Sequence, residues 1–354
     1  MNLSVQTPDE WLGAVSRPQS QRIEQFTIKS ADWLVVCAGF EDRALAVLEN
    51  ASTNARRFNL LVVCYEPVFP ENKLEKIREI ATRVGLNTSE ITYDRQEPSG
   101  FGAKFLQRLA GCGGEIFIDV SAMSRLLIVQ VLVALGTREA GLSKCSVAYA
   151  EALDYPPTQA EAEAELQRAR ADPSCSILFL SSGVFEVSVI PELSSVAPAG
   201  TQTRLIAFPS LDAHQLIALR NEIEPSRFSF IEGVPPSHQN RWRERVVSII
   251  NHLDKSPNAE RFRTGTLDYR ETLDLLVKLY AAHGERERLL ISPTGSKMQA
   301  VAVGIFRAIV EDVQIVYPTP RSFLKPDGYT IGVGPLHLLS LDPFGKRPLA
   351  EATG

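Results

Sequence analysis

A short sequence pattern occurs twice in this chain of 354 residues and constrains its fold more than any other feature. Each copy is an apolar run typical of a buried strand, then a turn of small hydroxyl residues ending in a cation, then a long apolar helix. The two copies are Glu115–Arg125 and Arg288–Met298. A strand that leads directly into a helix leaves unpaired backbone N–H groups at the start of that helix, where the helix dipole adds partial positive charge. Each turn is therefore a candidate phosphate site, and the repeat indicates an internal duplication of a nucleotide-binding unit.

The segments around the two turns repeat in the same order. Apolar runs typical of strands flank both of them: Trp33–Ala38, Leu60–Tyr65 and Val147–Tyr149 around the first, and Arg204–Phe208, Phe228–Ile231 and Gln314–Tyr317 around the second. Helical patterns alternate with these runs, which is typical of βαβ units and a parallel sheet. We therefore predict an α/β fold of two duplicated Rossmann-like units with mainly parallel sheets and flanking helices. Ligands of such folds bind beyond the carboxyl ends of the strands.

The domain organisation follows from the same repeat. A length of 354 residues corresponds to roughly two domains at about 150 residues each. We predict an N-terminal arm over residues 1–30, a first unit over 31–195 and a second unit over 203–345, joined by a segment of linker composition. We expect each unit to end in a β-hairpin, the first around Ser181–Gly183 and the second through Lys325–Gly328.

Charge and cysteine usage narrow the functional classes. The net charge of -5 argues against a chain that coats duplex DNA or an anionic membrane, because such binding needs clustered Lys and Arg. The five cysteines include no Cys-x-x-Cys pair and indicate a reducing compartment, while the five histidines are too scattered for a metal site. We find no signal peptide and no apolar stretch that could span a bilayer. We therefore expect a cytoplasmic protein without a metal or cofactor.

The second turn carries the most specific chemistry. Its candidate ligand-binding residues are Thr294, Gly295, Ser296 and Lys297. The glycine permits close backbone approach, the two hydroxyls offer hydrogen bonds, and the lysine offers a point charge to an anion. The turn is not a Walker A loop, because no Gly-x-x-x-x-Gly-Lys-Ser/Thr can be read across it. The alternative is an ordinary helix N-cap, in which Ser or Thr satisfies the first N–H groups without any ligand.

Further candidates lie at corresponding strand ends. In the first turn Ser121, Ser124 and Arg125 would act on the ligand from the pseudo-symmetric position. Asp119 would repel a phosphate, so this copy would either hold ribose or base or be degenerate. After the first strand come three charged candidates, Glu41, Asp42 and Arg43, whose alternative role is simply to begin a helix. Arg321 is a further candidate cation, and the sequence identifies no catalytic residue.

The turn Thr294–Lys297, followed by Met298, resembles the Thr-Gly-Gly-Thr-Lys-like motif of CARF domains, with one glycine fewer. CARF domains are Rossmann-like sensors of cyclic oligonucleotides and other nucleotide signals in prokaryotic antiviral systems. Two such units in one chain resemble the SAVED arrangement. The first turn departs from the motif because it contains Asp119 and no glycine. The resemblance implies a nucleotide-type ligand and, because we expect no effector domain in this chain, a separate protein effector as partner.

Three functional hypotheses follow from these observations. The first is a nucleotide-binding sensor or regulatory subunit that recognises a cyclic oligonucleotide or related signal and acts through its partner. The second is a phosphodiesterase or ring-nuclease-like enzyme that cleaves such a nucleotide in the same cleft. The third is a non-catalytic assembly subunit in which the two turns are only helix caps.

Overall fold

Two mainly parallel sheets organise the chain in this computed structural model, which describes residues 7–54, 57–172, 177–198, 200–255 and 259–346. Their strands are β1 Gln21–Ile23, β2 Trp33–Ala38, β3 Asn59–Glu66, β4 Asn87–Asp94, β5 Ile116–Asp119, β6 Cys145–Ala150, β7 Val184–Val189, β8 Gln202–Ala207, β9 Arg227–Val234, β10 Ala259–Gly265, β11 Glu287–Ser292, β12 Gln314–Pro320 and β13 Leu336–Ser340.

Ten α-helices in the described ranges flank and separate the sheets. They are α1 Pro8–Ala14, α2 Ala46–Asn54, α3 Leu74–Val84, α4 Phe101–Arg108, α5 Arg125–Gly136, α6 Gln159–Ala171, α7 Ala213–Ile223, α8 Trp242–Ile250, α9 Tyr269–His283 and α10 Lys297–Ile309. Within the predicted N-terminal arm, α1 buries Leu12 in the core. Among the described residues, no helix combines the length and the apolar character needed to cross a membrane.

The two sheets share one strand order. The parallel part of the first sheet runs β4-β3-β2-β5-β6, and that of the second runs β10-β9-β8-β11-β12. In both sheets the order reverses between the first and fourth strands of the unit, which is the point where doubly wound folds bind their ligands. The predicted α/β fold class with two mainly parallel sheets is therefore confirmed.

The antiparallel strand beside the parallel part of each sheet comes from the other half of the chain. Strand β7 lies at the end of the first unit in sequence but pairs antiparallel with β12 of the second sheet. Strand β13 lies at the end of the second unit but pairs antiparallel with β6 of the first sheet, and its other side pairs with the short edge strand β1. The two predicted hairpins are therefore wrong. The segments after β6 and β12 cross to the opposite unit, where β7 forms the edge of the second sheet and β13 lies between β6 and β1 of the first. Ser181 pairs with Phe323 instead of with its own neighbours.

Helices α5 and α10 lie side by side between the two sheets. Both are apolar on nearly every side, because each packs on its own sheet and also on the other helix. Their close approach depends on glycine: a Cβ on Gly304 would lie 2.7 Å from Leu132, and one on Gly136 would lie 2.8 Å from Ala308. One continuous core extends from the first sheet through these helices into the second. The helix pair thus brings the carboxyl ends of both sheets to the same space.

Candidate functional site

A cavity of about 960 Å³ lies where the carboxyl ends of the two sheets meet. The first unit contributes Glu41, Arg125 and Tyr149 to its wall, and the second contributes Lys297 and Tyr317. A cavity of this volume is at the upper end of the range for small-molecule sites, roughly 300 to 1,000 Å³, and accommodates a ligand of nucleotide size or larger. Residues from the two duplicated units therefore share one site.

The serines of the two turns cap the helices that follow. The hydroxyl of Ser124 accepts a hydrogen bond from the Leu127 amide at 3.2 Å, and that of Ser296 accepts one from the Gln299 amide at 3.1 Å. The backbone N–H groups of the two serines are also occupied. The amide of Ser124 donates to the hydroxyl of Tyr65, and that of Ser296 donates to the side-chain oxygen of Gln299. The capping role weighed in the sequence is thus present, and two of the amides predicted for a phosphate have internal partners.

The cation after each serine reaches across to the turn of the other unit. Lys297 begins α10, and its Nζ donates to the carbonyl oxygen of Met123 at 2.8 Å. Arg125 begins α5, and its Nε donates to the carbonyl oxygen of Gly295. Met123 and Gly295 each immediately precede the capping serine of their own turn. The two contacts are therefore reciprocal, as expected of a duplicated arrangement with pseudo-two-fold symmetry.

Glu41 is the centre of a buried charge cluster at the cavity wall. One carboxylate oxygen lies 3.3 Å from Nζ of Lys297, and the other accepts bonds from Arg43 at 2.6 and 2.8 Å and from Thr330 at 2.9 Å. Burial alone would raise the pKa of Glu41, but the two cations outweigh it and lower the pKa to about 2. Burial lowers the pKa of Lys297 to about 8, because a single carboxylate does not offset desolvation and two neighbouring arginines.

Three arginines on the cavity wall have no carboxylate partner. Arg95 donates to the carbonyl of Pro67 at 2.8 Å, Arg243 donates to that of Pro157 at 3.0 Å, and Arg125 donates to that of Gly295. None of the three has a carboxylate oxygen within 4.0 Å in the part of the chain that the structure describes. Burial lowers the pKa of Arg95 and of Arg243, which is the cost of holding a cation away from water without a counter-ion.

Aromatic rings form one wall of the cavity beside Arg95. Phe40, Phe323 and Tyr329 contact one another edge to face, with centroid separations of 5.1 to 5.7 Å. The guanidinium of Arg95 lies 5.8 Å from the ring of Phe323 and 5.0 Å from that of Tyr65. A planar ligand ring can stack on such a surface, and the guanidinium adds a cation–π contact.

Five of the predicted site residues lie outside the cavity wall. Asp119, Ser121 and Thr294 are buried below the turns, where the Ser121 hydroxyl accepts from the Ala150 amide at 2.8 Å and that of Thr294 donates to the Phe208 carbonyl at 2.7 Å. Burial raises the pKa of Asp119 to about 6. Asp42 is exposed and lies 3.6 Å from Lys73, and Arg321 is exposed too.

The other seven predicted residues line the cavity: Glu41, Arg43, Ser124, Arg125, Gly295, Ser296 and Lys297. The sequence reasoning missed Arg95 and Arg243. Arg95 directly follows β4, a strand that the sequence reading did not recognise, and Arg243 lies in a basic run that reads equally as a solvated helix face. In the described ranges, no group of three or more His, Cys, Asp or Glu side chains is placed to hold a metal ion.

Comparison with known proteins adds no functional assignment. No protein-family model and no curated protein sequence matches the chain. Among solved structures, the cytoplasmic domain of a prokaryotic cation chloride cotransporter is 11% identical, covers 82% of this chain and 95% of its own, and has a TM-score of 0.24. Haemonchus contortus phosphoethanolamine N-methyltransferase 1, in complex with phosphoethanolamine and S-adenosylhomocysteine, is 10% identical over 78% and 73%, at 0.21. A ketoreductase domain from the bacillaene assembly line is 10% identical over 87% and 70%, at 0.17. Likenesses this weak carry no argument, so function is argued from the cavity.

Proposed function

We propose that this chain is a nucleotide-binding sensor or regulatory subunit whose ligand occupies the cavity between the two sheets. The observation that carries the proposal is the set of three cavity arginines without a carboxylate partner, Arg95, Arg125 and Arg243. Burial lowers the pKa of Arg95 and of Arg243, and an anionic ligand would offset the cost of holding these cations away from water. Guanidinium groups also bind phosphate through paired N–H donors, which suits a phosphorylated ligand.

The aromatic wall supports a ligand that also carries a planar base. Phe40, Phe323 and Tyr329 offer ring faces and edges next to Arg95, and stacking of a base on such groups contributes about 1 to 3 kcal/mol. Phosphate and base together describe a nucleotide. The second turn resembles that of CARF domains, and the two-unit arrangement resembles SAVED proteins. Both resemblances agree with this ligand class, and from them we add the proposal of a role in antiviral defence.

Signalling to a protein effector would use the reciprocal contacts between the units. Arg125 and Lys297 each donate a hydrogen bond to the turn of the opposite unit. An anion that draws Arg125 towards itself changes the contact between the two halves, and such a change is what a bound effector would sense. The ligand therefore acts on the interface that joins the two units.

The proposal is tested by isothermal titration calorimetry with mononucleotides, cyclic dinucleotides and larger cyclic oligonucleotides. Arg125→Gln should weaken binding about tenfold to a hundredfold, because a charge-assisted hydrogen bond contributes about 1.5 to 3 kcal/mol. Arg321→Gln is the matched control, because this arginine is exposed and does not line the cavity. Absence of binding for every nucleotide class, or equal affinities of the two variants, contradicts the proposal.

One observation favours cleavage of the ligand as a second candidate function. The pKa of Lys297 is lowered to about 8, which places its ammonium near the range in which a general acid is effective. Incubation with each bound nucleotide, followed by chromatography, distinguishes retention from turnover. If the wild type cleaves the nucleotide and Lys297→Met does not, the enzyme hypothesis is supported. If the nucleotide is bound and recovered intact, the sensor hypothesis is supported. If no nucleotide is retained, pull-down and native mass spectrometry test the assembly-subunit hypothesis.

A further inference from the structure

The strand registers show which residues of the two units correspond. Val35 lies opposite Ile118 of β5, and Ile206 lies opposite Ile291 of β11; each of these partners is the last residue but one of a strand that leads into a turn. Equal steps along the chain from these positions make Glu41 of the first unit correspond to Asp212 of the second. Both carboxylates are buried, and both lie on the cavity wall. In a fully symmetric site each would pair with the cation that reaches over from the other unit.

Only one of the two expected ion pairs between the units is formed. Lys297 lies 3.3 Å from Glu41, which is the carboxylate of the opposite unit. Arg125 has no such pair, because Asp212 instead accepts a hydrogen bond from the hydroxyl of Ser181 at 2.5 Å. In the described residues no carboxylate oxygen lies within 4.0 Å of Arg125. Within the pseudo-symmetric pair, Lys297 is thus neutralised by a carboxylate of the protein, and Arg125 has no carboxylate beside it among the described residues.

The strand ends next to these cations differ as well. Tyr65 on β3 corresponds to Gly233 on β9, and Arg95 after β4 corresponds to Thr266 after β10. The matching backbone bonds, from the Arg95 amide to the Glu66 carbonyl and from the Thr266 amide to that of Val234, agree with this register. The first unit therefore presents an aromatic ring and a guanidinium where the second presents only small side chains.

Arg125 belongs to the same part of the cavity as Arg95. Half-buried Tyr329 and buried Tyr317 lie near Arg125. Burial lowers the pKa of Arg125, but the two tyrosines outweigh burial and raise it. The ring of Tyr329 lies 5.4 Å from that of Phe323, which lies 5.8 Å from the guanidinium of Arg95. Two of the three cavity arginines without carboxylate partners, Arg125 and Arg95, therefore lie along one aromatic surface.

A buried amide of the second unit also lacks a partner. Gln215 on α7 is only 3% exposed, lines the cavity, and has no hydrogen-bond donor for its side-chain oxygen in the described residues. It lies one helical turn beyond Asp212, which precedes α7. A buried acceptor without a donor is unfavourable, so a ligand hydroxyl or amino group at this place would be stabilised.

We propose that the cavity binds one anionic group at Arg125, with one planar ring on the Phe323–Tyr329 surface that leads to Arg95. The carboxylate of Glu41 occupies the place at Lys297 where a second phosphate would bind. This inference rests on the proposed nucleotide function and specifies the ligand class, an unsymmetrical nucleotide with a single phosphate at the site. A two-fold symmetric cyclic dinucleotide is disfavoured, because its second phosphate would meet the buried carboxylate.

The test uses the four common nucleoside 5′-monophosphates and cyclic di-AMP as calorimetric probes for the full chain. We expect the wild type to bind a monophosphate at a one-to-one ratio and more tightly than cyclic di-AMP. Arg125→Gln should lower that affinity by about tenfold or more, whereas Lys297→Met should change it less than about threefold. Glu41→Gln should raise the affinity for cyclic di-AMP and leave that for the monophosphate nearly unchanged.

The outcomes separate the two proposals. If the wild type binds none of these probes and no larger cyclic oligonucleotide, the proposed function fails. Suppose the wild type binds a nucleotide, but Lys297→Met weakens binding as much as Arg125→Gln, or two phosphates bind per chain. The inference of a single anion is then wrong, while the proposal that the cavity binds a nucleotide is still supported. Melting temperatures show whether each variant is folded. The comparison of Arg125→Gln with Lys297→Met decides the inference even if Glu41→Gln does not fold.

Discussion

Replacement of Lys297 by Met should change how the free energy of unfolding depends on pH. Burial lowers the pKa of this lysine from 10.5 to about 8 in the folded protein, and its side chain is only 14% exposed. Between these two values the unfolded chain binds a proton that the folded chain has released. The stability contributed by this group therefore rises as the pH increases through that window, and the variant lacks the rise.

The magnitude follows from the size of the shift. Each unit of pKa corresponds to about 1.36 kcal/mol, so a shift from 10.5 to about 8 corresponds to about 3 kcal/mol. Other groups also titrate above neutrality: burial raises the pKa of Cys37 to about 12 and that of Tyr65 well above its usual value. Lys297 lowers the pKa of Cys37, so its loss in the variant raises that pKa further. Both groups therefore stay largely protonated in folded wild type and variant up to about pH 10.5, and their contributions nearly cancel when one unfolding free energy is subtracted from the other.

Urea unfolding at intervals from about pH 7.5 to about pH 10.5 measures this difference. We expect the wild type to gain about 3 kcal/mol relative to Lys297→Met across the range. Lys73→Met is the matched control, because Lys73 lies 3.6 Å from the exposed carboxylate of Asp42, where water screens the pair. A difference between wild type and Lys297→Met that stays constant with pH would refute the reasoning about the buried ammonium.

Three further predictions concern stability. Two cations lower the pKa of Glu41 from 4.5 to about 2, so this carboxylate contributes about 3 kcal/mol of stability above pH 4.5. That contribution is lost as the pH falls towards 2, and urea unfolding should show the unfolding free energies of wild type and Glu41→Gln converging on acidification. Gly304→Val should lower stability by about 1 to 3 kcal/mol, because the new side chain meets Leu132 between α5 and α10. Gly328→Val is the control because its surroundings are more open, and equal melting temperatures of the two variants would contradict the prediction. Ser296→Ala should cost about 1 kcal/mol through loss of the cap of α10, and an unchanged denaturation midpoint would count against it.

Much of the fold could be predicted because the decisive signals are local. The strand, turn and helix around Lys297 are encoded in one contiguous segment, and the same pattern near Arg125 led to the duplicated α/β fold. The third strand of each unit was missed because β4 and β10 are half-exposed edge strands with few apolar residues. The exchange of β7 and β13 could not be predicted, because a local pattern does not say which sheet edge a strand will pair with.

The sequence predicted the part of the candidate site that lies at strand ends. It did not predict the part that depends on contacts between the two units. Glu41, Arg125 and Lys297 follow strands at the edge where ligands of parallel sheets bind, and all three line the cavity. Their mutual pairing could not be derived, because the contact between Lys297 and Glu41 joins residues far apart in the chain and in different units. The same limit hid the role of Arg95 and of the rings around Phe323.

The exchange of closing strands means that neither half of the chain is a self-sufficient folding unit. Separate production of the two halves would leave each polypeptide with an unsatisfied sheet edge and with one strand that belongs to its neighbour. Co-produced halves should instead reconstitute the intact protein by fragment complementation. The two halves are thus interlaced, and loss of either one would remove structure from both sheets.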